Sequence, residues 1–545
     1  MARRSQAFLA IAVLGGLLLR IAWARSHSAV IEQEGAEYAR IAQNLLAGRG
    51  YVGMFNHGPA LAFPPLYPLL IAGVSLLTGN AGAAAQWLNL VFGAVLVVPV
   101  FRLAEDRYGG RVALLAGGLV LCHPALLAGA SSTNPEGIHL TLLMGGLLWL
   151  LRWLAHRRTR DGFAAGILLG LAYLVRPEAM AILLVSGLLG LLAAPRAGAL
   201  WRPLVVLVLP FVILVLPYGI FLSSATGHFR IETVVTIAYE WALPREAGKS
   251  QVEAAAAIGP DLSDRGVDMR PNAELVNSSG ISTLGLLRVV GREVRALIPM
   301  AQRALLEGTG LGSPLLAGLI VLGLWRTGWS RERGRVESWL LIVLLILLVG
   351  QALIFRSFYA LLGILLLWAG KGADELGEWA RLSAAAISGR PSLGLMAERG
   401  LAWGSIGLVL LISGYGVRGP GSADVALARA GEWLSRQTPP PVRIMDGGSQ
   451  VAYYAGADLT FLPYTDNAHA VEYVSQVAPG FIVLTSRSAG DRPYTSAWLA
   501  DGIPDPRAVP VYDSGDAQGQ RVRIFRWSSR PPPPSPDGSV PRPVP

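Results

Sequence analysis

The sequence is 545 residues long, 52% hydrophobic and only 15% charged, where a soluble chain would carry about a quarter charged residues. Its net charge of +10 invites a nucleic-acid reading, but the cations sit in short connectors such as "HRRTRDG" (156–162) and "RTGWSRERGR" (326–335). No basic face with interleaved aromatics appears, so nucleic acid is excluded as a partner, and the composition predicts a polytopic α-helical membrane protein.

Apolar runs such as "SWLLIVLLILLVGQALIF" (338–355) approach the ~20 residues that cross a hydrocarbon core of about 30 Å. The N-terminal "MARRSQAFLAIAVLGGLLLRIAWA" looks like a signal peptide, but it has no convincing small-residue cleavage site and its apolar stretch is long, so it reads as a retained span over about 7–24. With Arg3 and Arg4 in the cytoplasm, the first loop (25–84) falls outside. It opens with "VIEQEGAEYARIAQNLLAGRGY" (30–51), which holds Glu32, Glu34 and Glu37. A helix is predicted from Glu34 to Ala47, stopped by Gly48 and Gly50. Glu34, Glu37, Tyr38, Ile41 and Leu45 recur on it at three- and four-residue spacing, which puts carboxylates beside an apolar stripe. Two readings of the acids stay open here: a solvated outer loop, or a half-desolvated base able to take a proton from an alcohol. Asn56 and His57 follow. His57, alone in a loop, reads more readily as solvent-exposed than as a ligand. The stretch "FPPLYPLLIAGVSLLTG" (63–79) is short and opens with two prolines, and it reads as a juxtamembrane or re-entrant helix.

Further spans are predicted at about 85–103, 112–130, 137–155, 163–175, 179–194, 204–223, 314–327, 338–355, 358–370 and 401–416, giving 11 crossings within a membrane domain of 1–416. Basic connectors then lie inside. The outer connectors include "SSTNPEG" (131–137), "RPE" (176–178) and "FRS" (355–357). Glu136 and Glu178 each follow a proline at a helix start, where the dipole favours an acid. Arg176 and Arg356 sit where positive charge is disfavoured and so need anionic partners, either a lipid phosphate gripped through charge-assisted hydrogen bonds or the neighbouring glutamates. A long outer loop spans 225–312, with an amphipathic part at 283–308. From 420 to 528, "VRIMDGGSQVAYYAGADLTFLPY", "GFIVLTSRS" and "RVRIFRWS" read as short strands around one amphipathic helix, "AHAVEYVSQVA". This is a small α/β extracytoplasmic domain, and 529–545 is a disordered proline-rich tail. The single cysteine, Cys122, leaves no disulfide framework and no thiol metal site. The outer carboxylates would suit a divalent metal, but no His/Asp/Glu spacing defines a site and the sequence requires none. No glycine-rich phosphate cradle follows a strand, which points to a donor delivered by the lipid.

In the order "EGAEYARIAQNLLAGRGY", "FPPLYPLL", "YGGRVALLAG", "HPALLAGASSTNPE", "GLAYLVRPEA" and "RSFYALLGILLL", the chain resembles the C-type (GT-C fold) membrane glycosyltransferases. It is most similar to the bacterial branch related to protein O-mannosyltransferases and lipid A aminoarabinose transferases. The similarity is strong over about 31–192, moderate around 350–370, and only general in the C-terminal domain. The resemblance implies a bacterial plasma-membrane enzyme that moves a sugar from a polyprenyl-phosphate donor to a glycan, lipid or protein hydroxyl at the outer face. It implies Glu34 as the base, Arg176 and Arg356 on the donor phosphate, and Glu37, Tyr38, His57, Glu136 and Glu178 around the pocket. The family's usual first-loop acid is aspartate, whereas this chain carries the longer Glu34 and has Gly35 where a second acid usually follows. The rival readings are a flippase for a lipid-linked saccharide and a membrane-held scaffold. Transporters tend to show paired internal repeats, and none is visible.

Overall fold

The computed structural model describes residues 2–27, 30–54, 59–192, 201–233, 313–326, 330–354, 359–415, 422–438, 442–463, 465–490, 492–515 and 520–528, with isolated positions at 288, 291 and 295. His57, Arg356, the rest of the amphipathic stretch at 283–308 and the tail at 529–545 lie outside the described residues.

The chain opens with α1 (Ala2–Ser26), α2 (Gln33–Leu46), α3 (Leu66–Thr78), α4 (Ala81–Val95), α5 (Val97–Tyr108), α6 (Gly110–Cys122) and α7 (Pro124–Ser131). It continues with α8 (Glu136–His156), α9 (Thr159–Tyr173), α10 (Glu178–Leu192), α11 (Trp201–Thr226), α12 (Pro314–Trp325), α13 (Arg331–Ile354), α14 (Tyr359–Ser388) and α15 (Pro391–Tyr415). Among the described residues, five helices are long and apolar enough to cross a membrane, or six if the bent pair α6/α7 is one span. The α3 helix has 13 residues, a rise of about 20 Å, which is shorter than the hydrocarbon core.

Three boundaries differ from the sequence reading. The span expected at 85–103 is the longer, continuous pair α4/α5, which together make a 28-residue apolar stretch. The span expected at 112–130 bends by 49° between α6 and α7, where Pro124 cannot donate to the helix ladder. The connector expected between 370 and 401 is instead a helical hairpin, since α14 runs on to Ser388 and α15 starts at Pro391. Charges too polar for a span fasten that extension: Lys371 pairs with Glu375 at 2.5 Å, and Arg111 pairs with Asp374 at 3.2 Å and with Glu398.

The α14 helix is the bundle's hub and packs on α6, α12 and α15. Glycines make the approach possible. A Cβ on Gly372 would meet the Leu319 backbone, one on Gly323 the Trp368 carbonyl, and one on Gly370 the Ala116 backbone. Where α13, α14 and α5 meet, the buried Glu337 accepts from the Tyr108 hydroxyl at 2.6 Å and from the Trp368 indole at 2.7 Å.

The C-terminal domain starts with α16 (Ser422–Gln437), followed by β1 (Arg443–Asp446), α17 (Gln450–Tyr454), β2 (Asp458–Phe461), α18 (Asn467–Val477), β3 (Phe481–Thr485), α19 (Thr495–Asp501), β4 (Ala508–Gly515) and β5 (Arg521–Trp527). The sheet order is β2-β1-β3-β5-β4. The first three strands are parallel, while β5 runs antiparallel to both β3 and β4. The expected single amphipathic helix is α18; α16, α17 and α19 are additional. The "GGSQVAYY" stretch turns into α17 because a parallel β1–β2 pair needs a crossover connection.

Candidate functional site

The α2 helix carries the first-loop acids. Its 35–42 stretch is wholly buried, with Tyr38 packed edge-on against Phe63 and Tyr67 at centroid separations of 5.0 and 5.1 Å. Glu34 lies in the first turn, partly exposed. Opposite α2 stands the loop 131–135. Thr133 Oγ1 accepts from the Glu32 N–H at 3.1 Å, and the Tyr67 hydroxyl donates to the Thr133 carbonyl at 2.8 Å. Asn89 braces the same loop, donating to the Ser132 and Asn134 carbonyls and accepting from the Gly137 N–H. That loop comes so close to α2 that a Cβ on Gly35 would collide with Thr133 Oγ1. A second acid therefore cannot follow Glu34 in this chain.

Two helix starts converge beside α2. Glu136 is the first residue of α8 and Glu178 the first of α10, and Arg176 lies between α9 and α10. Arg176 Nη2 donates to Glu136 Oε1 at 2.7 Å, with both side chains buried. Glu178, Glu34 and Tyr38 also lie within electrostatic reach of the guanidinium. Burial opposes its charge, but Glu136, Glu178 and Glu34 outweigh burial and push its pKa above the usual arginine value. Among the described residues, the buried Nε and Nη1 of Arg176 have no hydrogen-bond partner.

Glu32 is the residue the sequence reading passed over. Its carboxylate meets the Ser132 side chain and the Asn134 backbone, and Glu136 and Glu34 are its charged neighbours. Burial, then those two carboxylates, push its pKa up to about 7. Its Oε2 is buried with no partner among the described residues. Only three-dimensional placement distinguishes Glu32 from the other first-loop acids, since its sequence neighbours carry no signal.

The structure thus gathers Glu34, Tyr38, Glu136, Arg176 and Glu178, and adds Glu32. Glu37, on the same helix, also holds the loop after α2, its Oε2 accepting from the Met54 N–H at 2.8 Å. Tyr359, at the start of α14, lines a small cavity with Glu136 and Arg20. Among the described residues, no group of three or more His, Cys, Asp or Glu is arranged to hold a metal ion.

Residues 62–221 match the family model of dolichyl-phosphate-mannose-protein mannosyltransferases, a range that includes Glu136, Arg176 and Glu178 but not Glu34. No curated protein matches the sequence. Among solved structures, the chain is similar to ArnT from Cupriavidus metallidurans bound to undecaprenyl phosphate. That likeness has a TM-score of 0.51 and 14% identity, covering 95% of this chain and 98% of that one. The Archaeoglobus fulgidus oligosaccharyltransferase in its apo form gives a TM-score of 0.57 at 15% identity, covering 96% of this chain and 74% of that one. The same archaeal enzyme, AglB, in complex with an inhibitory peptide and a dolichol-phosphate, gives 0.54 at 14% identity over 96% and 74%.

Proposed function

We propose that this chain, a polytopic membrane protein with the fold of the C-type glycosyltransferases, transfers a sugar from a polyprenyl-phosphate donor to an acceptor hydroxyl at the outer face of a bacterial plasma membrane. The N-terminus is then cytoplasmic and the C-terminal domain lies outside. The observation that carries this reading is the convergence of two helix N-termini on Arg176, whose Nε and Nη1 are unspent among the described residues. Helix starts and buried guanidinium donors together suit an oxyanion. Two structures with this fold hold undecaprenyl phosphate and a dolichol-phosphate, which supports a lipid phosphate as the anion here.

In the proposed reaction the acceptor oxygen attacks the anomeric carbon as Glu34 takes its proton, and the bond from that carbon to the phosphate oxygen breaks. The electron pair leaves with the polyprenyl phosphate. Arg176, helped by Arg356, stabilises the charge that grows on it. A single displacement inverts the anomeric centre. Glu32, with one unspent oxygen beside Glu34, completes the acidic side of the pocket and is the alternative proton acceptor. Glu37, Tyr38 and His57 border the pocket in this reading.

The test is reconstitution with a radiolabelled polyprenyl-phosphate sugar. A new glycosidic linkage, lost in Glu34→Gln while the protein still inserts, is the expected result. Movement of intact lipid with no linkage would instead make the chain a flippase. Transfer within a few-fold of wild type in Glu34→Gln would pass the role of base to Glu32.

A further inference from the structure

The C-terminal sheet has a second site that the reaction above does not use. Strand β1 lies between β2 and β3, parallel to both. The chain leaves β1 toward β2 but leaves β3 toward β4 and β5, so the connections part between the carboxyl ends of β1 and β3. Open α/β sheets hold ligands at such a reversal. A crevice of about 80 Å³ lies there, formed by the turn after β1 (Asp446, Gly447, Gly448), the turn after β3 (Thr485, Arg487, Ser488) and Gln33 of α2.

Its chemistry is mixed and nearly neutral. Asp446 is 2% exposed and accepts from the Gly448 N–H at 3.2 Å. The hydroxyls of Thr485 and Ser488 lie 2.9 Å apart. Arg487 stands at the rim and is already paired with Asp424 at 2.6 Å. Arg492, buried beside the turn after β1, offsets Asp446, and Asp424 offsets Arg487, so neither a phosphate nor a cation finds a net opposite charge here. A neutral ring bearing several hydroxyls can both donate to Asp446 and accept from the hydroxyl pair and Arg487. Gln33 is the residue before Glu34, so a ligand seated here borders the helix that carries the proposed base.

We propose that the crevice between β1 and β3 is an acceptor subsite that takes one hydroxyl-bearing edge of a neutral sugar residue of the acceptor, next to the start of α2, with the rest of the ring outside the crevice. The word "acceptor" rests on the transferase reading, whereas the sugar site does not.

The full-length protein in lipid nanodiscs is tested by saturation-transfer NMR with a panel of methyl hexopyranosides and methyl pentopyranosides as probes, and with inorganic phosphate as the anionic comparison. At least one neutral glycoside is expected to bind wild type and Glu34→Gln alike. Its signal should fall about tenfold in Asp446→Asn, the change that loss of one buried charged hydrogen bond gives, and several-fold in Arg487→Gln, at the rim. Folding of each variant is checked by its thermal transition. Binding of phosphate alone, or glycoside signals unchanged in both cleft variants, would overturn the subsite. Glycoside binding by a wild-type protein that performs no transfer would sink the transferase reading and leave the sugar site standing. Robust transfer with no glycoside bound would do the reverse.

Discussion

Arg176 is a buried cation tied to Glu136, with Glu34 and Glu178 also in its field. Removing it leaves those acids uncompensated, a loss of roughly 3–5 kcal/mol for a buried pair. Arg176→Ala should therefore fail to accumulate in the membrane. The double variant Arg176→Gln with Glu136→Gln should recover expression and insertion but not transfer, because the charge imbalance is relieved while the guanidinium proposed to hold the leaving phosphate is gone. Immunoblotting of membranes beside the transfer assay checks both halves. Glu32 gives a pH signature. Its native pKa is raised from 4.5 to about 7, so the folded protein holds a proton that the unfolded chain has released. Stability then falls as pH rises through that window and the extra proton is lost. Thermal transitions measured near pH 5 and near pH 8 should differ more in wild type than in Glu32→Gln, which cannot ionise. The charged residues at the ends of apolar runs were legible in the sequence, because lipid makes an isolated charge costly. Glu32 was not, since its importance comes from a loop a hundred residues away that also fills the space beside Gly35.

Helix α14 shows why the elements were only partly legible. Hydropathy marks where a span begins, but it cannot foresee that a helix continues past the apolar run when ion pairs await its polar turns, as Glu375 and Glu398 provide. Nor does it distinguish glycines that merely populate a helix from those that set its closest approach. Gly372 faces the Leu319 backbone, whereas Gly404 in α15 has nothing within 4 Å of an added Cβ. Gly372→Ala is expected to cost on the order of 1–3 kcal/mol by overpacking. Gly404→Ala should be neutral or should stabilise by up to about 1 kcal/mol, since alanine is the better helix former. Chemical denaturation of the two variants in the same detergent measures the contrast. If both behave alike, the α12–α14 contact is not as tight as described.

Across the whole molecule, the soluble-looking domain is fastened to the first loop rather than hung beside it. The Ile31 N–H donates to the Tyr454 hydroxyl at 3.0 Å, Gln450 donates to the Ile31 carbonyl at 2.8 Å, and the Ser449 hydroxyl donates to the Gln33 carbonyl at 3.0 Å. Tyr454→Phe combined with Ser449→Ala removes two of these bonds, each worth about 1 kcal/mol. Amide exchange over 31–36 should speed up by roughly tenfold or more, with the C-terminal core's own exchange unchanged. The membrane character and the separate α/β unit were readable from composition and turn residues. The joint between them was not, because it is made of single hydrogen bonds between segments with no shared pattern. Residues 31 and 454 are 423 positions apart, so during synthesis the helix bearing Glu34 emerges long before the hands that steady it. Until residues 449–454 have been made and folded, the start of α2 lacks the contacts that fix it, and under the proposed function transfer has to wait for them.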